Sequence, residues 1–143
     1  MKPEDVAYIA GLLDGEGCFL IEKFAVKTNI IGYQYRPKVE VTMCQERPIV
    51  HVASLTGRQV QFRSIKSGRI AYKCVWRNRY AADLLRLVIP FLKGKREEAE
   101  IILDYFDNHS PGRGKEFLPE HGIKAEEARQ RLYDLKFPHL LRC

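Results

Sequence analysis

Long hydrophobic runs are absent from this sequence, and their absence limits where the protein can act. The longest apolar stretch, Val6 to Leu13, has 8 residues, far short of the roughly 20 that a membrane-spanning helix needs. The first residues, Met1 to Asp5, lack the pattern of a secretory signal. We therefore expect a protein of the cytoplasm or of an organellar matrix that is neither secreted nor bound to a membrane.

Paired cysteines are absent as well. Cys18, Cys44, Cys74 and Cys143 are 26, 30 and 69 residues apart, so no Cys-x-x-Cys pair exists and no histidine stands at zinc-finger spacing. This pattern predicts reduced thiols, most of which serve as packing residues. With 143 residues, of which 45% are hydrophobic, the chain needs no disulfides to bury a core, and we predict a single domain over residues 1–143.

Positive charge is concentrated in one region. Between Lys23 and Arg79 there are twelve basic residues against two acids, a net +10; since the whole chain carries +6, the rest carries −4. Aromatic residues interleave this basic region, as is typical of surfaces that bind phosphate groups. A solvated basic face without a partner, or a surface for anionic membranes, remains an alternative.

Alternation between polar and apolar residues predicts strands within the basic region. From Gln34 to Gln45 every second residue is polar, which indicates a strand with one polar face. The segments around Gln61 and from Arg69 to Arg77 alternate in a similar way, and Lys66–Gly68 supplies a hairpin turn between them. If the polar faces coincide, they form one basic surface, whose candidate contact residues are Gln34, Arg36, Lys38, Glu40, Thr42, Gln61, Arg63, Arg69, Lys73 and Arg77.

Helical periodicity occupies the remaining segments. The predicted helices are 5–13, 48–55, 80–92, 97–106 and a charged C-terminal helix at about 124–135, whereas Phe19 to Lys27 is extended with poor alternation. The resulting order, αββαββα followed by further helix, predicts an α+β fold. We expect an antiparallel sheet with helices on one face and the basic face free.

The segment Ile9-Ala10-Gly11-Leu12-Leu13-Asp14-Gly15-Glu16-Gly17 combines a helical pattern with an acid between two glycines. Ala7, Gly11 and Gly15 recur every four residues, so they form a stripe of small residues that another backbone can approach closely. Glu16 supplies a hard oxygen ligand of the kind that Mg²⁺ prefers. Taken alone, the same pattern also fits ordinary helix packing that ends in a solvated carboxylate.

This segment, IAGLLDGEG, resembles the signature of the LAGLIDADG homing endonucleases. The resemblance implies a saddle-shaped sheet on double-stranded DNA and, because the signature occurs once, a homodimer whose signature helices pack through Ala7, Gly11 and Gly15. It places Glu16 at the metal-binding acid position with the Gly15 carbonyl beside it. It also matches Gln45 to a polar residue that holds active-site solvent and Lys95 to a basic residue near the scissile phosphate.

Two departures from the family pattern concern DNA contacts. Some relatives carry a basic residue four positions beyond the glutamine, but here that position is Ile49, and Arg47 is the nearest basic residue. Glu22 and Phe24 occupy positions on the first strand where relatives often carry polar or basic residues that read DNA. The pattern therefore does not assign base readout to that strand.

The resemblance implies hydrolysis of one phosphodiester in each DNA strand at a long, pseudo-palindromic site. The expected cofactor is Mg²⁺, and Mn²⁺ or Ca²⁺ can occupy the same kind of site. The expected catalytic residues are Glu16, Gln45 and Lys95. The alternative is a non-catalytic protein of the same fold, either a splicing maturase that binds RNA or a DNA-binding regulator.

Overall fold

The chain forms a four-stranded antiparallel sheet, of order β1-β2-β4-β3, and a set of helices that pack on one of its faces. The computed structural model describes residues 1–138. The elements in chain order are α1 (Pro3–Glu16), β1 (Gly17–Ala25), β2 (Tyr33–Met43), α2 (Glu46–Thr56), β3 (Gln61–Ser64), β4 (Ile70–Arg77), α3 (Arg79–Val88), α4 (Arg96–Asn108) and α5 (Pro119–Lys136). This order confirms the predicted α+β fold.

The alternation in β2 separates the two faces of the sheet as predicted. Tyr35, Val39 and Val41 are buried beneath the sheet, while the polar residues between them point to the other face. Strand pairing extends the inner row, because Phe19 of β1 and Trp76 of β4 both pair with Val39. All three of these side chains are buried, so they join the sheet to the helices in one core.

The predicted hairpin joins β3 and β4. Gly68 has a φ of 76°, a left-handed conformation that glycine adopts without steric penalty. The Gly68 N–H donates to the Ile65 carbonyl at 2.9 Å and closes the turn. β3 is one of the two edge strands of the sheet, and all four of its residues are exposed.

Helix boundaries differ from the predictions for identifiable reasons. α1 begins at Pro3, which needs no hydrogen-bond acceptor for its nitrogen, and continues through Glu16 rather than ending near Leu13. α3 ends at Val88, and a single 3₁₀ turn over Ile89–Phe91 follows it. Pro90 explains this change, because proline cannot continue the α-helical hydrogen-bond pattern.

α5 begins at Pro119, five residues before the predicted start at 124. The backbone N–H of Leu118 donates to the imidazole Nδ1 of His121 at 2.8 Å and caps the helix. Phe117 stacks on Tyr35 with ring centroids 5.7 Å apart, so the start of α5 is attached to β2.

Glu126 of α5 connects that helix to the outer end of the β1–β2 hairpin. Its Oε1 accepts a hydrogen bond from the Tyr35 hydroxyl at 2.8 Å and lies 3.2 Å from Lys23 Nζ. Burial alone would raise the pKa of Glu126, but these two partners and the nearby Arg129 outweigh it and lower the pKa of the carboxyl. The carboxylate therefore stays ionised and holds the contact.

β1 is an edge strand, and three of its outward carbonyls, at residues 17, 19 and 21, accept hydrogen bonds from cationic side chains. The carbonyl oxygens of Gly17, Phe19 and Ile21 accept hydrogen bonds from Lys95 Nζ at 2.6 Å, Lys136 Nζ at 2.8 Å and Arg129 Nη1 at 2.7 Å, respectively. Unpaired edge carbonyls otherwise offer a template for association with another strand. Side chains of α5 and of the loop before α4 thus cover this edge of the sheet along residues 17–21.

Three of the four cysteines lie among the described residues, and Cys44 is exposed rather than packed. Cys18, Cys44 and Cys74 carry free thiols, and burial raises the pKa of Cys74 to about 11. Cys143 lies outside the described residues. Among the described helices none is long and apolar enough to cross a membrane.

The closed edge of β1 leads to a prediction about stability. Arg129→Met removes the donor to the Ile21 carbonyl and should lower the free energy of unfolding by about 1 kcal/mol, because Arg129 is only partly buried. Urea denaturation should show a lower midpoint with an unchanged m-value. Arg131→Met is the matched control, since Arg131 is exposed on the same helix without an ion pair among the described residues. Equal losses in both variants would contradict the proposed role of Arg129.

Candidate functional site

α1 passes directly into β1 at the acid singled out by the sequence. Glu16 is the last residue of the helix, Gly17 is the first of the strand, and the Glu16 side chain is exposed. A Cβ atom on residue 17 would lie 2.6 Å from the Leu13 carbonyl oxygen, so this junction requires glycine. Because no loop separates the helix from the strand, the position of the Glu16 carboxylate on the protein surface is fixed.

Asp14 binds the loop that precedes α4. Its carboxylate accepts hydrogen bonds from the backbone N–H groups of Lys93 at 2.7 Å, Gly94 at 3.1 Å and Lys95 at 3.0 Å. Charge-assisted bonds of this kind are stronger than bonds between neutral groups. The signature acid before Gly15 thus has a structural task that the sequence analysis did not assign.

Lys95 makes the reciprocal contact with the end of α1. Its ammonium donates to the carbonyls of Leu13 at 3.0 Å, Asp14 at 3.1 Å and Gly17 at 2.6 Å. These bonds use the three donors of the ammonium, and a cation at a helix C-terminus also interacts favourably with the helix dipole. We refer to these six hydrogen bonds, three accepted by the Asp14 carboxylate and three donated by the Lys95 ammonium, as the α1 clasp.

Gln45 lies at the same end of the sheet as the α1 clasp. Gly17 pairs with Val41 of β2, and the chain continues from there through Met43 to Gln45, which precedes the first residue of α2. Gln45 is exposed, and its side chain does not cap the helix. The predicted catalytic residues therefore come from three segments that meet at one end of the sheet. These residues are Glu16, Gln45 and Lys95.

Positions 47 and 49, the two candidates for a basic residue beyond Gln45, differ in burial. Ile49 is fully buried in α2, where it belongs to the core. Arg47 lies in the first turn of that helix and is exposed. Arg47 is thus free to contact a ligand near Gln45, while position 49 cannot.

The small-residue stripe of α1 is open to solvent. Ala7, Gly11 and Gly15 are exposed, and an added Cβ at either glycine would meet no atom within 4 Å. The opposite side of the helix, with Ile9 and Leu13, is fully buried. One face of α1 therefore belongs to the core, and the other presents a nearly bare backbone.

The outer face of the sheet collects the polar side chains predicted to bind DNA. Strand register aligns Lys38 with Arg77 and aligns Thr42 and Gln61 with Lys73, so these side chains share that face. β2 contributes Gln34, Arg36, Lys38, Glu40 and Thr42, β3 contributes Gln61 and Arg63, β4 contributes Lys73 and Arg77, and Arg69 lies in the turn before β4.

Two regions of this face differ in charge. In the hairpin region, Arg63, Lys66, Arg69 and Lys73 form no ion pair within residues 1–138. A depression of about 210 Å³ lies beside them, lined by Glu40, Thr42, Gln61, Phe62, Arg63, Ala71 and Lys73. The small side chain of Ala71 leaves this space between its larger neighbours.

In the region of β1 and β2, cations are paired with acids. Glu22 Oε2 lies 2.5 Å from Arg36 Nε and 3.5 Å from Arg77 Nε, and Glu40 Oε2 lies 3.2 Å from Lys38 Nζ. The hydrogen bond from Arg36 is the main cause that lowers the pKa of Glu22, and the charges of Arg36, Lys38 and Arg77 add to it against the effect of burial. Glu22 therefore stays ionised.

A single chain offers few ligands for a metal ion. Among the described residues, no three His, Cys, Asp or Glu side chains are grouped closely enough to hold one. Mg²⁺ binds several oxygen atoms and usually keeps some water. The exposed Glu16 carboxylate and the Gly15 carbonyl can therefore supply part of a site, which a second copy or DNA would have to complete.

Solved structures share this fold. The homing endonuclease I-CvuI, in complex with the I-CreI target and Mg, matches with a TM-score of 0.62 and 18% identity over 94% of this chain and 98% of that chain. The archaeal intron-encoded homing endonuclease I-Vdi141I, complexed with DNA, has a TM-score of 0.74 and 13% identity over 92% and 84%. I-SmaMI, bound to an uncleaved DNA target with calcium ions, has a TM-score of 0.66 and 15% identity, over 87% of this chain but 43% of that chain.

The sequence itself has no significant match among curated proteins. The family model described as LAGLIDADG endonuclease matches residues 9–115, which is well over half of the chain. The match begins in α1 at Ile9 and includes Glu16, Gln45, Lys95 and the whole sheet. With the signature helix and the sheet in the arrangement described above, the chain belongs to the LAGLIDADG endonuclease family.

Proposed function

We propose that the protein is a homing endonuclease that binds double-stranded DNA at a specific site and cleaves both strands as a metal-dependent homodimer. The observation that carries the proposal is the placement of Glu16. Its carboxylate is exposed at the end of a helix whose open stripe fits a second copy, and beside a sheet with a basic outer face.

The outer face of the sheet supplies the DNA-binding surface. Its unpaired cations in the hairpin region suit the phosphate backbone, and its amide and hydroxyl groups suit the edges of bases in the major groove. I-CvuI and I-Vdi141I, which share the fold, are both described in complex with DNA.

The length of the chain and the open face of α1 support the proposed homodimer. This chain covers nearly the whole of I-CvuI but only 43% of I-SmaMI. Its single signature helix exposes Ala7, Gly11 and Gly15, which allow two backbones to approach closely. Two copies joined through this stripe would bring two Glu16 carboxylates to the symmetry axis.

Divalent metal, Mg²⁺ under physiological conditions, would be held by Glu16 and by the Gly15 carbonyl. Two ionised carboxylates at a dimer axis repel each other unless cations neutralise them. The bound metal would activate water and stabilise the leaving 3′ oxygen. The exposed amide of Gln45 orients water at the same edge.

Lys95 supports the site by fixing the end of α1. Its ammonium already donates to three carbonyls on both sides of Glu16. A direct contact with the scissile phosphate, as the family resemblance implies, requires the ammonium to leave at least one of them. We therefore assign Lys95 a positioning role, and Arg47 is the exposed cation nearest in sequence to Gln45.

The engagement of Lys95 also favours a second candidate function. Without a free ammonium near the phosphate, the same fold serves as a non-catalytic nucleic-acid-binding protein, either a splicing maturase that binds RNA or a DNA-binding regulator. Glu16 separates the two functions, because binding alone does not need a carboxylate that repels phosphate. Cleavage of a randomised duplex library in Mg²⁺ tests the nuclease directly.

The metal role of Glu16 predicts a separation of cleavage from binding. Glu16→Gln preserves the shape of the exposed side chain but removes its charge, so cleavage should fall roughly 100-fold or more while DNA affinity persists or rises. Cleavage in Mg²⁺ and binding in EDTA are measured on one site selected from the library. Glu120→Gln is the control, since it makes the same charge change on an exposed residue of α5. Near wild-type cleavage by Glu16→Gln would contradict the assignment.

The open stripe predicts a substitution that breaks the dimer without harming the fold. Leucine at position 11 meets no atom of its own chain close to the Cβ and is a better helix former than glycine. Gly11→Leu should therefore keep or raise thermal stability at low concentration but give monomers in analytical ultracentrifugation. Gly11→Ala should have a smaller effect on association. A wild-type protein that sediments as a monomer on its DNA would exclude this interface.

The two roles of Lys95 predict different results for a substitution that keeps the charge. A guanidinium cannot direct three donors at the three carbonyls, so Lys95→Arg and Lys95→Met should both lower the free energy of unfolding by about 2 kcal/mol. Urea denaturation measures the loss, and a double-mutant cycle with Asp14→Ala should show strong coupling. Full stability of both variants together with lost cleavage would instead show direct phosphate contact.

A further inference from the structure

Glu22 occupies a position where a carboxylate is unfavourable for DNA binding. It lies on the outer face of β1, directly opposite Arg36 in the register of the β1–β2 pair. A carboxylate on a DNA-facing surface repels phosphate and weakens sequence-independent binding. A second function of Glu22 on that face, one that offsets the repulsion of phosphate, would explain its presence.

The side chain of Arg36 is held by two contacts. Its Nε donates to Glu22 Oε2 at 2.5 Å, and its guanidinium carbon lies 4.4 Å from the centroid of the Phe24 ring. The ion pair fixes one edge of the guanidinium, and the ring supports its flat face. A long, flexible side chain is thus kept in one orientation above the sheet.

The orientation leaves the far end of the guanidinium for a ligand. Because Nε is occupied by Glu22, the two Nη groups of Arg36 remain as a pair of donors. Two parallel donors match the O6 and N7 acceptors of guanine in the major groove. A guanidinium held in advance loses less entropy on contact than a free one.

Glu22 also restrains two further cations. Its carboxylate lies 3.5 Å from Arg77 Nε and 4.0 Å from Lys38 Nζ, and Lys38 also pairs with Glu40. Two acids thus face three cations in this region, whereas the cations of the hairpin region are unpaired. Attraction for phosphates is therefore weaker here than at the hairpin, which suits contact with bases rather than with the DNA backbone.

We propose that Glu22 is a positioning residue for sequence specificity, which holds Arg36 on the Phe24 ring so that Arg36 reads a guanine in each half-site. Glu22 acts through Arg36 and makes no contact with the base itself. The proposal rests on the proposed function, because it assumes that the outer face of the sheet binds double-stranded DNA.

The experiment compares binding preferences from a randomised duplex library, selected in EDTA so that cleavage does not interfere. The variants are Glu22→Gln, which removes the charge that holds Arg36, and Phe24→Leu, which removes the ring without a change in charge. Glu120→Gln is the matched control, because it makes the same charge change on an exposed residue of α5 rather than on the outer face of the sheet. Thermal unfolding verifies that each variant is folded.

We expect the wild type to select a guanine at one position of each half-site by roughly 5- to 150-fold over other bases, the range for a bidentate contact. Glu22→Gln and Phe24→Leu should both reduce this preference at that position by at least about 5-fold. Glu22→Gln should also bind random DNA more tightly, with a slope of log K against log salt steeper by about one for each cation that moves to a phosphate. Glu120→Gln should retain the guanine preference.

Three outcomes would overturn the inference. An unchanged preference in Glu22→Gln would show that Arg36 needs no restraint. Equal losses in Glu22→Gln and Glu120→Gln would reduce the effect to net charge. A loss in Glu22→Gln with full preference in Phe24→Leu would mean that Glu22 itself accepts a hydrogen bond from a base such as cytosine. If the wild type selects no sequence at all, the proposed function fails instead.

Discussion

The α1 clasp is the interaction on which the rest of the site depends. Asp14 satisfies three backbone N–H groups of the loop before α4, and Lys95 of that loop satisfies three backbone carbonyls around the end of α1. Each charged side chain thus stabilises the backbone next to the other. Because Glu16 lies between Asp14 and Gly17, the clasp determines where its carboxylate stands. The signature segment is therefore a junction held from both sides, with the Glu16 carboxylate on the exposed side.

The outer face of the sheet combines two electrostatic designs. The hairpin between β3 and β4 leaves its cations unpaired, which favours attraction at a distance and contact with phosphate. In the region around Glu22 the cations are paired with acids. This pairing weakens their attraction for phosphate but holds their side chains in fixed positions. The proposed site-specific DNA binding requires both properties, since attraction speeds the encounter and geometry distinguishes the sequence.

Much of the fold was predictable because it depends on local patterns. The alternation from Gln34 to Gln45 placed β2 and assigned its faces, and Gly68 marked the hairpin turn. The signature also located Glu16 and its exposed stripe. These features need only the spacing of neighbouring residues, which is visible in a single sequence.

The remaining features depend on contacts between distant segments. The hydrogen bonds of the α1 clasp join residues 78 to 82 positions apart, and no local pattern shows that these residues are partners. Glu22 looked like a departure from a DNA-reading strand until the register placed it opposite Arg36. The early start of α5 likewise depends on the His121 cap and on Phe117 packing against β2. Pairing across the fold, rather than residue type, gives these side chains their roles.

The closed edge of β1 has a consequence for synthesis of the chain on the ribosome. β1 emerges well before α5, because the partner of its Phe19 carbonyl follows 117 residues later. At translation rates of about 5 to 20 residues per second, the strand waits roughly 6 to 23 s for that partner. During this interval a nascent β-strand exposes hydrogen-bonding groups to other chains. The last of the three cationic side chains that cover this edge, Lys136, is therefore added only at the end of that interval.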